Sequence, residues 1–395
     1  MTRLLQPVLA GVVTALVGFA SSFAVVLAGL RAVGADQAQA ASGLLALCVA
    51  NGVVAIVLSV RQRLPITIAW STPGAALLVS TGAVEGGFPV AVGAFMVSGL
   101  LVVAAGLFPA LGRRIAAIPA PIASAMLAGV LLDLCVAPAR ALGEIPWMAG
   151  PVVLTWALLS RFARKWAIPG ALLVAIGAIT VAGPGLGAVD VRPVVDLTVP
   201  AWSASAMVSI ALPLFLVTMA SQNIPGMAVL AGYGYHPPLR GILAGTGLAS
   251  VLGAPFGGHA VNLAAITAAL AAGPDAEPDP GRRWIASVAA GGSMIVLGVG
   301  AGLATALVVL SPPVLIEAVA GLALIGALAS AVTTAVAEPE GREAAVVTFV
   351  VTASGLTLLG VGAAFWGLAA GGLMMLLHRR RTAPVKEREV QTALR

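Results

Sequence analysis

The chain has 395 residues, 60% of them hydrophobic and only 9% charged, with a mean hydropathy of +1.06. A soluble globular domain carries about 25% charged residues, so this composition excludes a water-facing fold and points to an all-α polytopic membrane protein. The formal net charge of +6 follows from where the basic residues sit relative to the bilayer, and is not a nucleic-acid footprint.

Uncharged runs extend over Ile115–Leu132, Leu197–Leu239, Gly241–Pro274, Trp284–Ile316 and Ala344–Leu377. A spanning helix needs about 20 apolar residues, so several of these runs hold more than one span. The N-terminal run is too long for the apolar region of a signal peptide and reads as the first span. Cys48 and Cys135 both lie in apolar segments, with no CxxC. They are packing residues, and no disulfide scaffold, metal site or cofactor is expected.

In chain order, spans are predicted at 8–30, 38–60, 64–82, 88–110, 119–137, 149–164, 168–184, 204–230, 237–252, 255–272, 284–308, 312–334, 344–360 and 361–378. Fourteen spans place both termini on one face. Eighteen of the 21 Lys and Arg then fall on that face, and only Arg31, Arg140 and Arg192 on the other. By the positive-inside rule the termini are cytoplasmic, in the inner membrane.

The third span carries the first interruption. In Leu64-Pro-Ile-Thr-Ile-Ala-Trp-Ser-Thr-Pro-Gly-Ala-Ala-Leu77 the residues before Ser71 are extended-prone. Thr72 then reads as an N-cap, with Pro73 at the first helical position. The tenth span carries the second. Pro255-Phe-Gly-Gly258 breaks the helix, and a new one is expected to start near His259, with Asn262 beside it. Helix starts carry unpaired N–H groups and the positive end of the macrodipole. Broken backbone survives at membrane depth only where protein or a polar cavity satisfies it. Between these, the eighth span holds Ser221-Gln-Asn-Ile-Pro-Gly226. Buried amides there are costly unless bonded, which leaves inter-helix bonding or substrate binding open for Gln222 and favours bonding for Asn223. Asn51, Ser21 and Ser22 are further lining candidates, for which helix packing is the preferred reading. Asp133 and Glu317 sit near the outer ends of spans 5 and 12 as secondary candidates for proton relay, the simpler reading being solvation.

Weak internal repetition ties the two halves together. Pro121 with Ala128-Gly129 recurs as Pro313 with Ala320-Gly321, Phe23–Gly29 resembles Met227–Gly232, and Pro65 answers Pro255. Seven spans per half is odd, so the halves enter the membrane from opposite sides, joined by Gly185–Ser203. Inverted repeats with interrupted helices in matching positions are typical of secondary transporters. No HExxH, GxSxG or mid-depth pair of acids suggests an enzyme.

Ser221–Gly226, Ala254–Thr267 and Ile66–Gly74 together resemble the benzoate/proton symporter family (BenE type), and the resemblance covers essentially the whole chain. It implies the fold shared with nucleobase and sulfate-type anion transporters. In that fold a core domain (8–110 and 204–308, spans 1–4 and 8–11) moves against a gate domain (119–184 and 312–378, spans 5–7 and 12–14), and here a basic cytoplasmic tail (379–395) follows. The acids that bind substrate in nucleobase relatives are matched here by Gln222 and His259, a change that suits a carboxylate. The implied activity is import of benzoate or a similar aromatic carboxylate with a proton. Another small organic or inorganic anion, or a nucleobase, is the alternative, as is a channel.

The expected carboxylate donors are the helix starts at Thr72–Gly74 and Gly258–Ala260 with Gln222, and Asn262 belongs to the same site. The expected apolar slot draws on Phe256, Trp70 and Phe23. His259, protonated, would neutralise the loaded site; the competing reading is a neutral His259 bonded to a carbonyl. A homodimer through gate surfaces is compatible with the sequence, and no nucleic-acid partner is expected.

Overall fold

The computed structural model describes residues 2–108, 119–182, 192–265 and 267–381. The ends of the fourth and seventh predicted spans, residues 185–191 of the Gly185–Ser203 connection and the tail from 382 onward lie outside these residues. The first half runs α1 (Thr2–Ala20), α2 (Phe23–Ala32), α3 (Gln37–Gln62), β1 (Ile68–Trp70), α4 (Thr72–Thr81), α5 (Phe88–Leu107), α6 (Ala120–Glu144), α7 (Pro146–Phe162) and α8 (Ala167–Ala182). The second runs α9 (Ala204–Gly232), α10 (Leu239–Gly253), β2 (Val261–Leu263), α11 (Ala268–Ala272), α12 (Trp284–Val299), α13 (Ala301–Leu310), α14 (Pro313–Val336), α15 (Arg342–Ala353) and α16 (Ala363–Arg381).

Among the described residues, seven helices are long and apolar enough to cross a membrane. The α12–α13 pair, bent by 53° at Gly300, makes an eighth. The protein is therefore an all-α polytopic membrane protein, interrupted by two short strands. Large apolar side chains stand exposed around its outside, among them Leu154, Leu173, Val296 and Leu373, as a lipid-facing surface requires.

The packing has the form of an inverted repeat. α3 lies against α12 as α5 lies against α10, and these pairs exchange when the halves are swapped; α6 against α14 and β1 against β2 are each their own mate. β1 and β2 pair antiparallel with Ala69 opposite Asn262 at the centre. Equivalent strand centres thus lie 193 residues apart, so Pro65 answers Gly258 rather than Pro255.

Three predicted boundaries are corrected. α6 continues through Pro138 and Gly143 to Glu144 and stops just ahead of Pro146. The thirteenth predicted span, α15, ends at Ala353 instead of 360: Gly355 and Gly360 take φ of +67° and +73°, and Leu358 and Val361 exchange backbone bonds in a tight turn. The tenth span carries no helix at His259. Its backbone stays extended to Leu263, and helix resumes at Ala268 for five residues.

Candidate functional site

The site is built on the two interrupted segments, and Ser71 is their junction. Its N–H donates to Ala260 O at 3.0 Å, and its carbonyl accepts from Ala75 N at 2.8 Å and from His259 Nε2–H at 2.9 Å. Its hydroxyl accepts from Gly74 N at 3.1 Å and from Thr218 Oγ1 at 2.9 Å. Ser71, not Thr72, is therefore the N-cap of α4, with Pro73 one place further in. The hydroxyl two residues after an extended Ala69 is the one that reaches back over the first turn.

The tenth span stays extended because non-helical partners take its backbone groups. Ser250 Oγ accepts from Val261 N at 2.8 Å, Asn223 Oδ1 from Leu263 N at 3.0 Å, and Thr67 O from Ala264 N at 2.9 Å. Ahead of it, Ala254–Phe256 forms a short 3-10 turn, and Gly257 adopts φ +92° to reverse the chain. Only glycine takes that conformation freely. Gly258 N–H donates to Gly253 O at 3.0 Å, so it is not open to a ligand. Gly74 N–H is likewise taken by Ser71, leaving Thr72 N–H as the first donor at the start of α4, since Pro73 has none.

α9 is wound loosely twice, as π-turns over Met207–Ala211 and Met219–Asn223. Each precedes a proline, Pro213 or Pro225, whose ring clashes with the carbonyl four residues back. The second turn holds Gln222 and Asn223. Asn223 is fully buried and bonds Leu263, while Gln222 faces a cavity.

That cavity has a volume of about 1300 Å³ and lies between α1, α3, the β1 segment, α6, the α7–α8 turn, α9, the segment around Thr267, α12 and α14. Of the residues expected from the sequence, Gln222, Trp70 and Thr72 line it, together with Asn51, Ser21 and Ser22. Trp70 Nε1–H donates to Ser22 Oγ at 2.9 Å, which fixes the indole in the wall. Phe23, Gly74, Phe256, Gly258, His259, Ala260 and Asn262 do not line the cavity. Phe23 stacks behind it on Phe19 at 5.2 Å, and Phe19 meets Trp70 edge-on at 5.9 Å. His259 is 0% exposed. Because its partner is a carbonyl, Nε2 carries the proton, and the ring edge packs 6.3 Å from Phe95. Asn262 donates to Leu263 O at 2.9 Å. Asp133 sits midway along α6, not at its outer end, and is bonded by Arg140 at 2.6 Å, the two side chains being 66% and 42% exposed. Glu317 lies half-buried within electrostatic reach of the same pair.

One charged side chain lines the cavity among the described residues, and it is Arg164, on the turn between α7 and α8. Sequence reasoning used it only as a marker of topology. Its signal was a basic turn between two apolar helices. With an arginine, two amides, several hydroxyls, a helix start and no carboxylate among the described lining residues, the wall favours a small anion with an apolar body.

Comparison with known proteins places the chain by family and fold. The benzoate membrane transport protein family, BenE, matches residues 3–377. The chain is 39% identical to the inner membrane protein YdcO of Escherichia coli K12 over 92% of this chain and 94% of that one. It is 32% identical to a benzoate membrane transport protein of Acinetobacter baylyi, over 93% and 94%. Among solved structures, the transmembrane domain of the cyanobacterial bicarbonate transporter BicA superposes with a TM-score of 0.60 at 17% identity, covering 94% of this chain and 98% of that one. SLC26A9 superposes with a TM-score of 0.67 at 12% identity, covering 95% and 65%. These two establish the fold. With the family matched over nearly its whole length, the chain belongs to the BenE family of benzoate membrane transport proteins, and it is a membrane transporter, not an enzyme.

Proposed function

We propose that the protein imports benzoate or a similar aromatic carboxylate together with a proton across the inner membrane, by alternating access around the β1–β2 junction. The observation that carries this reading is the cavity wall. Thr72 at the start of α4 and the Gln222 amide line the same cavity as the Trp70 indole, and no carboxylate stands among the described lining residues. An aromatic carboxylate needs donors at one end and a flat apolar surface at the other, and this wall supplies both. The benzoate transport protein of Acinetobacter baylyi, similar over nearly the whole chain, supports the substrate class.

Fourteen spans in two inverted halves, with spans 1–4 and 8–11 as the moving core and spans 5–7 and 12–14 as the gate, complete the proposal. With both termini cytoplasmic, the Arg164 turn faces the cytoplasm and the cavity is the inward-facing one. His259, Gly258, Ala260, Asn262 and Gly74 then form the scaffold behind the wall, holding the broken backbone in place.

Purified protein in vesicles tests this directly. Labelled benzoate accumulates when the outside is acidified, the accumulation collapses with a protonophore, and hydroxybenzoates compete while uracil and bicarbonate do not. Uptake that ignores the pH gradient removes the proton. Competition by uracil or bicarbonate moves the protein to the alternative substrate class.

A further inference from the structure

A proton that crosses with the anion needs a place to sit while the carrier is loaded. Taking the elements around the cavity in turn (α1, α3, the β1 segment, α6, the α7–α8 turn, α9, the segment around Thr267, α12, α14 and α16), the one charged or titratable side chain among the described lining residues is Arg164. An arginine stays protonated throughout the working pH range and takes up nothing. His259 is 0% exposed, lies off the cavity and gives its Nε2–H to Ser71 O. Asp133 and Glu317 do not reach the wall.

Among the described lining residues, one amide is buried with both of its polar atoms unmet. Asn51, on α3, lines the cavity and is 1% exposed, and neither its Nδ2 nor its Oδ1 has a protein partner. Its position is held by a close helix crossing, because a Cβ on the next residue, Gly52, would stand 2.5 Å from Gly291 O on α12. A buried amide with both groups unmet is costly. Its complement is a group that presents one donor and one acceptor side by side. A carboxylate presents acceptors only, whereas a protonated carboxyl presents an O–H beside a C=O.

We propose that Asn51 is a ligand-binding residue that pairs with the neutral, protonated carboxyl of the aromatic acid, so that the coupled proton rides on the substrate itself. This rests on the aromatic-carboxylate reading above. The proton joins a carboxylate oxygen as the substrate leaves water on one face and is released to water on the other, with no change in any protein group. A free carboxyl titrates at about 4. Moving its charged form into a low-dielectric wall raises that by as much as about 3–5 units, which brings it into the neutral range. Arg164, at the edge of the cavity, meets the ligand while it is still an anion.

The test is binding to the purified full-length protein from pH 6 to pH 8, with benzoate and with benzamide. Benzamide has the donor and acceptor of the acid form but does not titrate. Benzoate affinity is expected to fall about tenfold per pH unit as the acid form is depleted, while benzamide binds with an affinity independent of pH. Asn51→Ala is expected to weaken both ligands in parallel, by about tenfold to a hundredfold for two lost hydrogen bonds. The benzamide arm is read on the unaltered protein, so misfolding of the variant cannot hide the answer. Benzoate binding that is flat with pH, together with no benzamide binding, overturns the inference and leaves benzoate transport standing. Unchanged affinities for both ligands in Asn51→Ala overturn the role of Asn51. Absence of benzoate binding by the unaltered protein at every pH instead removes the aromatic-carboxylate reading on which the inference rests.

Discussion

His259 Nε2–H donates to the carbonyl of Ser71 across 2.9 Å, tying the turn before β2 to the residue that caps α4. The bond joins one half of the chain to the other at the point where both are broken. It turns a histidine that reads from the sequence as a proton carrier into one whose geometry is that of a positioning residue.

Replacing that histidine separates the two roles. Glutamine can still donate to Ser71 O, so His259→Gln is expected to keep pH-gradient-driven uptake within a few-fold of the parent. His259→Ala loses the bond and buried ring contacts and is expected to lower stability by about 2–4 kcal/mol. Vesicle uptake with thermal melting of each variant checks both. Loss of coupling in His259→Gln with melting unchanged would restore the imidazole as proton carrier.

Gln222 tests the sign of the site. Gln222→Ala is expected to raise the KM for benzoate by about tenfold, the worth of one lost hydrogen bond to the substrate. Gln222→Glu sets a carboxylate in the wall, which repels the benzoate anion as it enters, and is expected to reduce uptake at pH 7 well below that of the alanine variant. Initial uptake rates across a benzoate series decide between them.

Ser71 is expected to matter for stability through its hydroxyl. Ser71→Ala removes the cap of α4 and strands Thr218 Oγ1, at a cost of about 1–3 kcal/mol. Thr218→Val removes only the second bond, because Gly74 N keeps its acceptor, and is expected to cost less. Melting of the two single variants and the double variant yields their coupling.

Gly257 makes the turn that allows β2 to run antiparallel to β1. At φ +92°, with Gln39 O 3.0 Å from where a Cβ would stand, Gly257→Ala is expected to cost about 1–3 kcal/mol and to reduce uptake, although no wall residue changes.

Asp133 and Arg140 form an exposed pair at 2.6 Å. Exposed pairs contribute about 0–1 kcal/mol, so Asp133→Asn is expected to leave melting and pH-driven uptake nearly unchanged. A lost pH response in that variant would mark Asp133 as part of the proton path.

Much of this protein is written locally. Sixty per cent hydrophobic residues and long uncharged runs set the solvent, since each span must satisfy its own backbone in lipid. Pro65, Pro73, Pro255 and the Gly257-Gly258 pair announce the two interruptions, because proline and glycine act on the chain within a turn of themselves. The prolines of α9 place its wide turns beside Gln222 for the same reason. What the sequence could not decide is which way each polar group points once the halves meet. Val261–Ala264 stays extended only because Thr67 and Ala69, Ser250 and Asn223, from three separate segments, supply its backbone partners. His259 turns from the cavity because Ser71 O is there to receive it, whereas Asn51 and Arg164 reach the wall because α3 and the α7–α8 turn close around it. Those are contacts between residues up to about two hundred positions apart, and the free energy of pairing them belongs to the assembled fold, not to any one stretch of chain.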